Sequence, residues 1–216
     1  KKLVKLLKNP PGYWDLPELP EIGSPLSQSG LVSKSQRELS KKFGAKGCFF
    51  GVNGASGLIQ SAVITMANPG ETILMPRNVH ISVIKICAMQ NILPIFFDLE
   101  FSPETGHYKP LTKAWLEKVF EKLNFKENKI AGVILVSPSY QGYAGDLEPL
   151  IDLCHHKDLP VLVDEAHGSY FLFCENLNLP KSALSSNADL VVHSLHKSLN
   201  GLTQTAVLWY KGNLIN

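Results

Sequence analysis

From residue 48 onward the chain alternates two patterns of apolar positions. Short continuous apolar runs are separated by longer stretches in which apolar residues recur every three or four positions. The first pattern suits a strand buried on both faces, the second a helix with one buried stripe. The runs predict strands at 48–52, 72–75, 93–97, 130–136, 160–164, 190–193 and 205–210. The stretches predict helices from the turn at 53–57 to 67, and at 79–90, 112–123 and 147–156, with a loop through Pro103 and Gly106. Strands alternating with helices of about 10 to 15 residues predict an α/β domain with a mainly parallel sheet sandwiched by helices. Such sheets carry their ligand sites outside the carboxyl ends of the strands.

Residues 1–8 are basic and amphipathic and predict a short surface helix. Residues 9–35 are rich in Pro, Gly and Ser without a period and predict an irregular arm, with a helix at 35–43 behind serine caps. The chain therefore divides into an arm and first helix (1–45) and a sheet-bearing unit (46–216).

Composition narrows the classes of partner. The formal charge of +2 from 21 basic and 19 acidic side chains gives no patch to hold nucleic acid. No apolar run approaches the roughly 20 residues that span a bilayer. Cys48, Cys87, Cys154 and Cys174 are scattered without a C-x-x-C pair, which argues against a zinc knuckle or disulfide scaffold and suits reduced thiols in a cytoplasm. No metal ligand set is expected, since His155 and His156 are adjacent and face different directions. The chain begins without Met and stops just after a strand-like run, so a fragment is expected.

Four elements carry candidate chemistry. In Ser194-Leu195-His196-Lys197-Ser198, a lysine directly follows a buried strand. It suits a phosphate ligand or an amine that attacks a carbonyl; a surface lysine is the plain alternative. In Val163-Asp164-Glu165-Ala166-His167-Gly168 a buried strand ends in two acids and a histidine. A helicase box is spelled the same way, but no Gly-Lys pair and hence no phosphate loop exists in the chain. Asp164 could instead serve a cationic ring nitrogen, with Ala166 small enough to lie under a ring, or simply cap a loop. Asn53-Gly54-Ala55-Ser56-Gly57, between strand and helix, offers N–H groups to an anion at a helix N-terminus. His80, in Pro76-Arg77-Asn78-Val79-His80, could stack on a planar cofactor, or be structural.

With Pro138-Ser139-Tyr140-Gln141-Gly142, these elements in this order resemble the Orn/Lys/Arg decarboxylase family, over most of the chain. The resemblance implies the large domain of a fold type I enzyme using pyridoxal 5'-phosphate (PLP), with residues 46–216 as that domain, incomplete at its C-terminal end. It implies Lys197 as the Schiff-base lysine, Asp164 beside the pyridine nitrogen, Ala166 on one ring face and His80 on the other. Ala55, Ser56, Ser194 and His196 would hold the phosphate, and His167 would stand beside the cofactor. The chain departs from the family at Ala55, where threonine is usual, and at Val79-His80-Ile81, where Cys-His-Lys is typical. A His-x-Pro-Gly-His-type segment and the small C-terminal domain are also missing. The implied activity is α-decarboxylation of arginine, lysine or ornithine by a cytoplasmic homodimer or higher homo-oligomer, without nucleic acid or membrane. An aminotransferase or lyase would use the same lysine and aspartate, and a truncated PLP-binding remnant is a third reading.

Overall fold

Both faces of the strand-like runs are apolar, and the fold buries both. The computed structural model describes residues 2–24, 27–125, 127–174 and 177–215. Its strands are β1 (Gly47–Gly51), β2 (Thr72–Pro76), β3 (Leu93–Phe97), β4 (Phe101–Ser102), β5 (His107–Tyr108), β6 (Ile130–Val136), β7 (Val161–Asp164), β8 (Leu190–Ser194) and β9 (Ala206–Tyr210). Its helices are α1 (Lys2–Leu7), α2 (Gly30–Lys42), α3 (Gly54–Met66), α4 (Ile81–Gln90), α5 (Lys113–Glu121), α6 (Glu148–His155) and α7 (Leu195–Ser198).

Among the described residues, seven strands form one sheet in the order β1-β9-β8-β7-β6-β2-β3. The pairs from β8 through β3 are parallel. Only β9 runs the other way, antiparallel to both β1 and β8. Every segment of interest thus leaves the sheet at the same edge, the carboxyl ends of the parallel strands.

Successive side chains of a strand point to opposite faces, so each apolar run feeds two cores. Val133, Leu135, Val161, Val163, Val191, Val207 and Trp209 join Leu116 and Phe120 of α5 and Leu150, Ile151 and Cys154 of α6. The residues between them, Ile134, Leu162, Leu190, Val192 and Leu208, join Ile59, Val63 and Met66 of α3 and Val83 and Ile86 of α4. The expected sandwich of a mainly parallel sheet between helices is therefore the observed architecture.

Three local expectations change. The first long helix begins at Gly30, not at 35. Its N-cap is Ser29, and Arg37 braces the first turn by donating to Gln28 O at 3.1 Å and Ser33 Oγ at 2.6 Å. The arm also holds a 3-10 turn at Pro11–Tyr13. The loop at Pro103 and Gly106 is the tip of the β4–β5 hairpin, whose strands are too short to show a pattern.

At the amino ends of the strands, buried Asp189 ties α6 to the sheet. Its Oδ2 accepts from Val161 N at 2.8 Å and stands 2.7 Å from His155 Nε2. A Cβ at Gly212 would overlap the Asp189 carboxylate. Gly212→Ala is therefore expected to destabilise the protein by about 1–3 kcal/mol, since it must displace a buried, bonded acid. The urea-unfolding midpoint measures this, and an unchanged midpoint would contradict the assigned packing.

Candidate active site

The strand pleat sorts the residues of β7. Leu162 faces α3 and α4, and so do Asp164 at the strand end and Ala166 beyond it; Val161, Val163 and then Glu165 face the other way. Two adjacent acids therefore lie on opposite sides of the sheet.

Asp164 is only 8% exposed, and its Oδ1 accepts from Ala166 N at 3.1 Å. Burial pushes its carboxyl above the ordinary 3.8, while the Ala166 N–H and the charges of Lys197, His80 and His167 pull it back down. Lys197 lies on α7, a single helical turn that follows β8. By surface area it is exposed, contrary to a position removed from solvent, yet its Nζ stands 3.1 Å from His167 Nε2. Burial, reinforced by the Lys197 charge, holds the His167 imidazole below its ordinary 6.5, and Asp164 opposes this. A neutral His167 accepts from the lysine ammonium at Nε2, leaving its own proton on Nδ1.

His80 is the N-cap of α4. Its Nδ1 accepts from Ser82 N at 3.2 Å and stands 2.8 Å from Ser82 Oγ, which fixes the ring against the first turn. The structural role weighed for this histidine is real, and it leaves the ring in the site. Gly54, at φ +68, opens α3 after the turn from β1 and carries Ala55 and Ser56 into the first helical turn.

Ala55, Ser56, His80, Asp164, Ala166, His167 and Lys197 line one cavity of about 360 Å³ at the carboxyl ends of the strands. Ser194 and His196 are not among its lining residues. His196 is exposed: successive residues of a helical turn point about 100° apart, so a turn that aims Lys197 inward aims His196 elsewhere. Ser194 is 1% exposed, and its Oγ has no hydrogen-bond partner among the described residues.

Sequence reasoning missed a buried network behind the cavity. Trp209 Nε1 donates to His193 Nδ1 at 2.9 Å, so the ring proton of His193 is on Nε2. That proton is donated to Glu165 Oε2 at 2.6 Å, and Glu165 Oε1 accepts from Ala183 N at 2.8 Å. Both oxygens of Glu165 are thereby engaged. Burial pushes its pKa up, and the His193 and Ala183 hydrogen bonds pull it down. The pleat was the only available signal, since it puts Glu165 and His193 on the face of Trp209.

The family model described as Orn/Lys/Arg decarboxylase, major domain, matches residues 14–216. The chain belongs to that family. It is 37% identical over 187 residues to an arginine decarboxylase of Bacillus cereus, covering 87% of this chain and 39% of that protein. It is 24% identical over 204 residues to a lysine decarboxylase of Pseudomonas aeruginosa, covering 88% of this chain and 27% of that one. The chain thus spans 37–39% of the length of the arginine decarboxylases it matches. The solved constitutive lysine decarboxylase of E. coli superposes with a TM-score of 0.75 at 20% identity, over 89% of this chain and 28% of that one. A serine palmitoyltransferase of Sphingomonas wittichii gives 0.62 at 19% identity, over 84% and 42%. At these identities the likeness is one of fold, that of the fold type I large domain. No helix among the described residues is long and apolar enough to cross a membrane.

The charges around His167 have opposite signs, which makes their assignment testable. Removing the like charge in Lys197→Ala is expected to raise the His167 titration midpoint, and removing the carboxylate in Asp164→Asn to lower it. Imidazole proton NMR across the acid range reads both shifts; shifts of one sign in both variants would contradict the geometry.

Proposed function

We propose that the full-length protein is a PLP-dependent decarboxylase of a basic amino acid, arginine, lysine or ornithine. Residues 46–216 are its cofactor-binding part. The observation that carries this is one cavity that brings together a lysine amine, a buried carboxylate and a flat alanine wall, in a chain of this family. The names of the arginine and lysine decarboxylases it resembles support the reaction and the substrate class.

The donor set fits PLP. A buried carboxylate at the cavity wall suits a ring nitrogen, and the free N–H groups of the first turn of α3 at Ala55 and Ser56, on the same wall, suit a phosphate. When bound, the cofactor supplies an aldehyde that captures the substrate amine and a ring that takes up the electron pair left by departing carbon dioxide. Lys197 Nζ would be the nucleophile that holds the aldehyde, and His167 Nε2, 3.1 Å away, would position the amine by accepting its hydrogen bond. Asp164, whose carboxylate is supported by the Ala166 N–H and the nearby Lys197 charge against its burial, would keep a proton on the ring nitrogen. Ala166 bounds one ring face and His80, locked by Ser82, the other. The N–H groups of the first turn of α3 at Ala55 and Ser56 and the Ser56 hydroxyl would bind the phosphate, while Ser194 and His196 lie off the cavity wall. Exposed Lys197, His80 and Tyr140 stand at an open mouth, which a second copy in a cytoplasmic homodimer would cover.

The test is an absorbance spectrum of the full-length protein with PLP, followed by gas release from the three amino acids. A band at about 420 nm, absent in Lys197→Ala, is expected. So is release of carbon dioxide without a keto acid. Asp164→Asn is expected to keep the band and lose turnover by about 100-fold or more, the scale of one lost electrostatic contact. A spectrum of free PLP in the wild type would remove Lys197 from this role, and keto-acid formation would replace decarboxylation by transamination.

A further inference from the structure

Helix α5 meets the sheet along one stripe only. Leu116 and Phe120 are buried in the core beside α6, but the neighbouring stripe stands over a cavity of about 360 Å³ against β2 and β3. We infer that this cavity binds an amphiphilic anion, a hydrocarbon body carrying a carboxylate head. It has no lining residue in common with the cofactor cavity, so the inference goes beyond the decarboxylase reading and does not depend on it.

The walls set the chemistry of the ligand's body. From α5 the cavity takes Trp115, Val119 and Leu123, which recur at helical spacing and share one face. The sheet supplies Leu74, Ile95 and Phe97. The single polar atom of the Trp115 ring, Nε1, is already engaged, donating to Asp98 O at 2.7 Å. These six side chains therefore offer a ligand no hydrogen bond. A polar body would shed its water here without return, whereas an apolar one gains in proportion to the area it removes from water. The volume lies within the range of small-molecule sites, about 300–1,000 Å³.

Charge sets the head. Lys118 and Lys122 lie four positions apart, on the same face of α5, and both contribute to the lining while remaining exposed. Their stems run along the apolar wall and leave the ammonium groups in water. Lys118 Nζ stands 5.9 Å from the centroid of the Trp115 ring, at the entrance to the apolar space. Neither lysine has a carboxylate partner among the described residues. The one acid in the lining, Asp98, is held 3.4 Å from Arg77 Nε. Like charges at this spacing repel each other on a helix, and a carboxylate placed between them relieves that repulsion. The same pair turns away ammonium compounds, so a basic amino acid or its amine product would not be retained.

Octanoate is the probe, and the full-length protein carrying fluorotryptophan is the sample. The fluorine resonance of Trp115, assigned with Trp115→Phe, reports on this cavity alone. Octanoate is expected to shift it saturably, with acetate and octylammonium each at least about tenfold weaker. Acetate has the head without the body, and octylammonium the body with the opposite charge. Lys118→Glu combined with Lys122→Glu changes only exposed positions and is expected to reverse the preference towards octylammonium. Near-UV circular dichroism checks that this variant keeps its fold. A Trp115 resonance unmoved by octanoate would overturn the site. So would octylammonium binding as tightly as octanoate, or an unchanged preference in the charge-reversed variant.

Discussion

The carboxyl end of the sheet depends on one buried, hydrogen-bonded acid. Glu165 has no exposed surface, and its two carboxyl oxygens are engaged by the imidazole N–H of His193 and the amide of Ala183. Removing one partner of such a group leaves a polar atom unsatisfied in a dry interior, at a cost of about 1–3 kcal/mol. Trp209 in turn fixes the tautomer that lets His193 donate. The three side chains join the ends of β7, β8 and β9, the region from which Asp164, Ser194 and α7 with Lys197 emerge.

The pleat divides the work across the sheet. Residues of one parity build this rigid network, and those of the other parity, Asp164, Ala166 and Ser194, face α3 and α4. A dry anchor on one face thus supports a wet, chemically demanding cavity on the other. The same parity rule explains why Asp164 and Glu165, adjacent in sequence, sit in unlike surroundings.

Much of this was legible in the chain. Runs such as Val161-Leu162-Val163 can only be strands covered on both faces, and the acid that ends this one falls at a strand end by the same pattern. Asp164, Ala166, His167 and Lys197 meet around one cavity because each follows a strand on the same edge. The failures share a cause. His193 meets Glu165 across 28 positions and Trp209 meets His193 across 16, so neither contact leaves a local trace. The direction of His196 was lost because α7 is a single turn, too short for a period. The start of α2 was misread because both Ser29 and the serines after it are competent caps.

The strand order has a consequence for how the molecule is made. Among the described residues strand β1 pairs with β9 alone, so Gly47–Gly51 must wait for Ala206–Tyr210. During synthesis the ribosome delivers β1 well before that partner. Until then the nascent chain displays Cys48, Phe49 and Phe50 on an unpaired backbone, the kind of segment that associates with other chains and that chaperones shield. Closure of the sheet is therefore a late event, and β9 is the stave whose arrival lets the first strand settle.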